Sequence, residues 1–272
     1  FKAVHNYGCV LRWNMAELEF TYKMDISFSS DVLKHCYSLR CIPFDNEFQK
    51  IKEITVDISP SNNRTYTEDG FGNNVLTDRI TVPHRHFGVN VHGFAETDLS
   101  KRQPEKLNGI YKNPSEYTKV GDAVTEFLNA LPQDFVTTPV DTAQRIMEEI
   151  HKVFKYKSGA TSIKTTADEA LKLGCGVCQD YSHIFIAVSR ALGIPARYVA
   201  GIQKGIGETH AWAEVYDNGI WIGIDVTNNR MIDDTYLQLS HGRDFADCGI
   251  NRGMLIGGGL QNQSILAEIK VL

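Results

Sequence analysis

The 272-residue chain contains no long apolar run. Its most apolar extended stretch, His183 to Ile194, is interrupted by Ser189 and Arg190. It falls far short of the about 18 consecutive apolar residues that a membrane-spanning helix needs. An excess of one charge is missing too. The 28 Lys and Arg against 33 Asp and Glu leave a net charge of −5 with the signs mixed throughout, which excludes an electrostatic footprint for nucleic acid. Cysteine is sparse: six thiols (Cys9, Cys36, Cys41, Cys175, Cys178 and Cys248) in this length do not make a disulfide scaffold. Phe1 to His5 lack a charged segment leading into an apolar one, so no secretory leader is read, and the expected setting is reducing and cytoplasmic. Repeats and low-complexity tracts are also missing. What is present is 42% hydrophobic and 22% charged residues, the balance of a globular protein whose core can offset its ordering entropy. The length suits one large domain or two modest ones, and the expected partner is a small molecule or another protein.

The first part of the chain is rich in strand signals. Leu18, Phe20, Tyr22, Met24, Ile26 and Phe28 alternate strictly with polar residues, as in a long antiparallel strand with one buried face. The pattern returns at Ile54-Val56-Ile58, stopped by Ser59-Pro60, and at Phe87-Val89-Val91. Turn signals such as Ser61-Asn62-Asn63 and Gly72-Asn73-Asn74 lie between, suggesting a sandwich-like, β-rich N-terminal domain over 1–115. Pro104, Asn108-Gly109 and Asn113-Pro114 read as a linker into a second domain, 116–272. There, helices are expected over about Ala123–Leu131 and through Ala143–Phe154, the latter capped by Asp141 or Thr142. Thr166-Ala167-Asp168-Glu169 has capping-box form and opens a short helix that Gly174 can close. A fourth helix is expected over Gln179–Leu192, followed by strands at Arg197–Ile202, Thr209–Tyr216, Ile220–Val226 and Ser264–Val271. Helices followed by strands, without βαβ alternation, mean α+β.

Chemistry concentrates at one place. Gly174-Cys175-Gly176-Val177 leads into Cys178 in the first turn of an amphipathic helix, where free N–H groups favour a thiolate. The glycines leave room for a substrate carbonyl. A thiolate nucleophile needs a base and a group to orient that base. His210 shares a strand face with Trp212, Glu214 and Tyr216, and the return strand ends in Asp225. A hairpin symmetric about Asp217-Asn218 sets His210 opposite Asp225, close enough for imidazole and carboxylate to meet. A shift of one residue would turn Asp225 to the other face.

Four ordered blocks carry a family resemblance: Gly176-Val177-Cys178-Gln179-Asp180-Tyr181, Leu192-Gly193-Ile194-Pro195-Ala196-Arg197-Tyr198-Val199, His210-Ala211-Trp212-Ala213-Glu214-Val215 and Asp225-Val226-Thr227-Asn228. With Gly242-Arg243-Asp244-Phe245-Ala246-Asp247, Gly257-Gly258-Gly259 and the N-terminal Asp69-Gly70-Phe71-Gly72-Asn73, the chain resembles the bacterial branch of the transglutaminase-like superfamily along nearly its whole length. Members of that branch are commonly read as cysteine proteases. The resemblance implies a papain-like transglutaminase core, with helices packed on an antiparallel sheet, behind a β-rich N-terminal domain. It implies Cys178 as nucleophile, His210 as base and acid, Asp225 as orienting carboxylate, a peptide or protein amide as substrate, and neither cofactor nor metal. Val226 stands where the family commonly has proline. No side-chain oxyanion donor is assigned, and that role falls to backbone N–H groups, including that of Cys178. The thioester can pass its acyl group to water, as in a peptidase or amidase, or to an amine, as in a cross-linking protein-glutamine acyltransferase. Hydrolysis is the expectation.

Blander readings stand beside these. Cys178 could be a buried structural thiol, or pair with Cys175 as a redox couple or half a zinc site, although no second C-x-x-C exists. The chain could also be a non-catalytic binding module that kept the fold. Trp212, Trp221 and Tyr216 read as core or cleft wall, and His84-Arg85-His86 and His92 as solvated sheet residues. His183, on the nucleophile helix one turn beyond Gln179, is expected to pack or hydrogen-bond behind the site, and Arg243, Asp244 and Asp247 to brace a loop through an ion pair.

Overall fold

The computed structural model describes residues 15–272, so Cys9 and the reading of Phe1–His5 lie outside the described residues. Five strands come first: β1 (Ala16–Leu39), β2 (Gln49–Ser59), β3 (Thr65–Glu68), β4 (Asn74–Ile80) and β5 (His84–Thr97). Two helices follow, α1 (Asp122–Asn129) and α2 (Pro139–Val153). Short β6 (Lys155–Tyr156), α3 (Ala167–Leu173), β7 (Cys175–Gly176) and α4 (Cys178–Ala191) lead into β8 (Ala196–Gln203) and β9 (Gly205–Gly207). The chain closes with β10 (His210–Asp217), β11 (Ile220–Asp225), β12 (Arg230–Met231), β13 (Tyr236–Gly242), α5 (Phe245–Cys248), β14 (Asn251–Gly257) and β15 (Gln261–Val271).

The alternation read at Leu18–Phe28 is the buried face of β1, where all six apolar residues are inside. β1 runs on to Leu39 and is the spine of an eight-stranded sheet. Its first half pairs with β5 and β15, and its second half with β4 and β14, all antiparallel. The strand expected at Ser264–Val271 therefore belongs to the first sheet, not to the C-terminal one. Tyr22 faces Ala267 and Val91 on its two sides, so β1 is flanked by one strand from the N-terminal part and one from the C-terminal part of the chain. A cut near residue 115 runs through the first sheet, to which β9, β14 and β15 also belong.

The second sheet has the order β12-β11-β10-β8-β13 and is antiparallel throughout. The helices pack on it, giving the α+β arrangement of helices against an antiparallel sheet. Local signals set their ends. Thr138 caps α2 by accepting from the Asp141 N–H, with Pro139 in the first turn, so the cap lies ahead of the expected Asp141 or Thr142. Thr166 and Glu169 form the expected capping box of α3, which Gly174 terminates in a left-handed conformation.

α4 is the centre of this half. Every residue from Gln179 to Arg190 is buried, because β8 and β10 cover one side and α1, α2 and α3 the other. Polar groups along this buried length gain by finding partners within the protein. Arg190 does so with four separate segments. It donates to the carbonyls of Tyr111, Ala196 and Arg243 and to the Thr118 hydroxyl. Burial pulls its pKa down to about 10 despite the opposing charge of Asp244, leaving it charged near neutrality. The segment read as a linker is thus tied to the core through short turns at Gly109–Lys112 and Glu116–Thr118.

Two outcomes are expected. Arg190→Leu strands three carbonyls and should lower unfolding stability by about 3 kcal/mol in urea denaturation, since each lost buried partner costs roughly 1–3 kcal/mol. A fragment starting at residue 115 leaves β14 and β15 without β1. It should elute as an aggregate in size-exclusion chromatography, and a monomeric, cooperatively melting fragment would contradict the shared-sheet account.

Candidate active site

Cys178 is the first residue of α4, half-buried and free. Asp180 sets the helix start: its Oδ2 accepts from the Val177 N–H at 2.7 Å and from the Thr161 hydroxyl at 2.6 Å. A Cβ on Gly176 would lie 2.3 Å from that oxygen. Gly176 is therefore required by the position of Asp180. Burial pushes the Asp180 carboxyl above the usual range, against the pull of its two donors, and its Oδ1 has no hydrogen-bond partner.

His210 lies at the start of β10 and Asp225 at the end of β11, and both are buried. Their strands are joined by Asn218 and Gly219, both with positive φ (49° and 90°), a two-residue turn of the kind that matches strand twist. The turn is centred one residue later than the sequence suggested. Pairs such as Ala213 with Ile224 extend to place Asp225 across from Trp212 rather than His210. The displacement along the ladder is an even step, so Asp225 keeps the same face. The contact is diagonal, and His210 Nε2 lies 2.9 Å from Asp225 Oδ2. Nδ1 is the ring nitrogen left for the thiol. Burial lowers the imidazole pKa, but hydrogen bonds with Asp225 and then Cys178 outweigh it and lift it to about 9. The structure thus brings all three sequence-predicted residues together.

Sequence reasoning missed the groups around Asp225. Oδ2 also accepts from the Tyr236 hydroxyl at 2.7 Å and from Asn228 Nδ2 at 2.7 Å, while Oδ1 accepts from the Asn228 N–H at 3.1 Å. Burial works against this charge, yet His210, Tyr236 and Asn228 hold the carboxyl below its usual range. Tyr236 in turn accepts from Arg230 Nε at 2.9 Å. Asn228 follows Asp225 by three residues and had a local signal in its spacing, whereas Tyr236 reaches the site only through sheet order. Tyr156, paired beside Gly176 and largely exposed, also borders the site; partial desolvation of its hydroxyl raises its pKa, helped by Cys178 and Glu208.

The remaining candidates sit apart from the reacting groups. His183 Nε2 accepts from the Phe245 N–H, the ring stacks on Tyr117 at 5.4 Å, and burial drives its pKa to about 3, so it is neutral. Arg243 pairs with Asp247 at 2.8 Å, as expected, while Asp244 caps α5. Trp212 is core, and Trp221 lies under the Arg197 guanidinium. Tyr216 is partly buried and its hydroxyl donates to the Glu105 carbonyl. His86 and His92 lie on β5 against Asp25 and Thr21, and His84 meets the buried His35. Among the described residues no cluster of three or more His, Cys, Asp or Glu could hold a metal ion, and no helix is long and apolar enough to cross a membrane.

An antiparallel sheet carrying His and Asp against a helix that opens with Cys defines a papain-like arrangement. Comparison with known proteins specifies it further. The model of the transglutaminase-like superfamily core matches residues 129–226, and that of the bacterial transglutaminase-like N-terminal region matches residues 18–96. An uncharacterised protein of Mycobacterium tuberculosis is 32% identical over 241 residues, covering 74% of this chain and 75% of its own. An uncharacterised protein of Mycobacterium leprae is 26% identical over 254 residues, with 85% and 90% covered. A crystal structure from Cytophaga hutchinsonii, described as a "Putative Cysteine Protease", superposes with a TM-score of 0.79 at 21% identity, covering 95% of this chain and 91% of that one. The chain belongs to the transglutaminase-like superfamily.

His210 makes folding pH-dependent. Its pKa stands at about 9, above an unfolded value of about 6.5, so the stabilisation is complete below about 6.5 and is lost as pH rises through about 9. The stability difference between the native chain and His210→Gln should shrink across that window by on the order of 2 kcal/mol, read from urea midpoints.

Proposed function

We propose that this protein is a cysteine peptidase or amidase that cleaves an amide bond through Cys178, His210 and Asp225. The observation that carries the proposal is the buried His210–Asp225 contact, with Cys178 at the opening of α4 acting on the same imidazole. The Cys178 thiolate attacks the amide carbonyl, and the tetrahedral oxyanion is held by backbone N–H groups at the start of α4, that of Cys178 among them. The imidazolium of His210 gives its proton to the departing amine, leaving an acyl thioester on Cys178. Neutral His210 then takes a proton from water as it adds to the thioester, and the carboxylic acid leaves with the thiol regenerated. Asp225 holds the ring tautomer and balances the imidazolium charge throughout. A reduced Cys178 is required, which suits a reducing compartment such as the cytoplasm. The name carried by the Cytophaga hutchinsonii structure supports hydrolysis over transfer to an amine.

Cys178→Ala should abolish hydrolysis of a casein-derived peptide mixture and iodoacetamide labelling at that position, while Cys175→Ala should keep most of both. Equal dependence on the two thiols would favour a redox pair and sink the triad. Incorporation of a fluorescent primary amine into the peptides, in place of new carboxyl termini, would assign the acyl group to amines instead.

A further inference from the structure

The carboxylate that orients His210 is itself held by a group outside the matched core residues. Tyr236, at the start of β13, is buried against Leu99, Val199, Trp212 and Ile232, and its ring meets Trp212 edge-on at 5.4 Å. Its hydroxyl has two partners. It donates to Asp225 Oδ2 at 2.7 Å and accepts from Arg230 Nε at 2.9 Å. Arg230 is the residue of β12 that pairs with Asp225 across the ladder, and its side chain is exposed. A cation at the surface is thus connected by two hydrogen bonds to the oxygen that faces His210.

We propose that Tyr236 is a positioning residue that tempers the basicity of Asp225, and that Arg230 acts on the site through the Tyr236 hydroxyl. The proposal rests on the Cys178–His210–Asp225 reading. A guanidinium donating to a phenol polarises its O–H and makes it the stronger donor. That bond draws charge from Oδ2, the oxygen shared with His210 Nε2 and Asn228 Nδ2. An untempered carboxylate would hold the imidazolium too firmly, and a firmly held imidazolium is a poor acid toward a departing amine. The charged or titratable groups around this chain of contacts are His210 on β10, Cys178 on α4, Arg230 on β12 and Asp233 beside Arg230.

The test is the titration of the His210 ring, followed by NMR in the native chain, in Tyr236→Phe, in Arg230→Gln and in the double variant. Tyr236→Phe keeps the ring and its packing. It should move the His210 midpoint up by about half a pH unit, as expected for the loss of one hydrogen bond to the partner charge. Arg230→Gln should move it the same way by less, and should add nothing in the Tyr236→Phe background. In parallel, kcat on the peptide mixture should fall about fivefold in Tyr236→Phe with KM unchanged, the pattern of a loss confined to the transition state. A midpoint that stays or falls in Tyr236→Phe overturns the tempering role. A full Arg230→Gln shift in both backgrounds overturns the relay, since the arginine would then act through space. His210→Ala distinguishes failure of the underlying reading: Cys178 alkylation indifferent to that substitution removes the triad, whatever the titrations show.

Discussion

Burial of α4 from Gln179 to Arg190 is the constraint on which the catalytic half depends. A polar group enclosed by protein must find its partner there or lose on the order of 1–3 kcal/mol. On α4 the resulting bonds recruit the surroundings one segment at a time. Asp180 fixes Thr161 and the approach to the thiol, and His183 receives the N–H of Phe245. Arg190 gathers Tyr111, Thr118, Ala196 and Arg243. Segments that share no sequence signal are placed because they meet the needs of one helix, and that helix opens with the nucleophile.

The opposite wall follows a related logic. Asp225 is fully enclosed, and its charge persists there because several donors converge on it from β10, β13 and the turn after β11. Helix and sheet each hold one enclosed carboxyl beside the site, with opposite consequences. Burial raises the carboxyl pKa of Asp180, with two donors and a bare Oδ1, whereas the donors on Asp225 lower its pKa. Only Asp225 touches His210, so it alone supports an imidazolium.

Much of this was legible in the sequence because the signals were local. The alternation from Leu18 to Phe28, the Thr166–Glu169 box and the glycine-led entry to Cys178 each lie within a few residues. The pairing of His210 with Asp225 survived a displaced turn only because the displacement preserved strand parity. What could not be read depends on contacts between distant segments. Nothing local in Gln261–Val271 says that its neighbour is β1, and nothing in Tyr236 says that it reaches Asp225. The demand that Asp180 makes on Gly176 is local, four residues apart, but it depends on where the carboxyl turns in space.

The pairing of β15 with β1 also sets an order of events during synthesis. β1 leaves the ribosome on the order of 200 residues before the strand that covers its edge. At about 5–20 residues per second, that edge waits on the order of ten seconds or longer without its partner. A 24-residue strand with one apolar face, open along one side for that time, is a template for pairing with other nascent chains. Crowding of nascent chains therefore favours mispairing at this edge until β15 arrives.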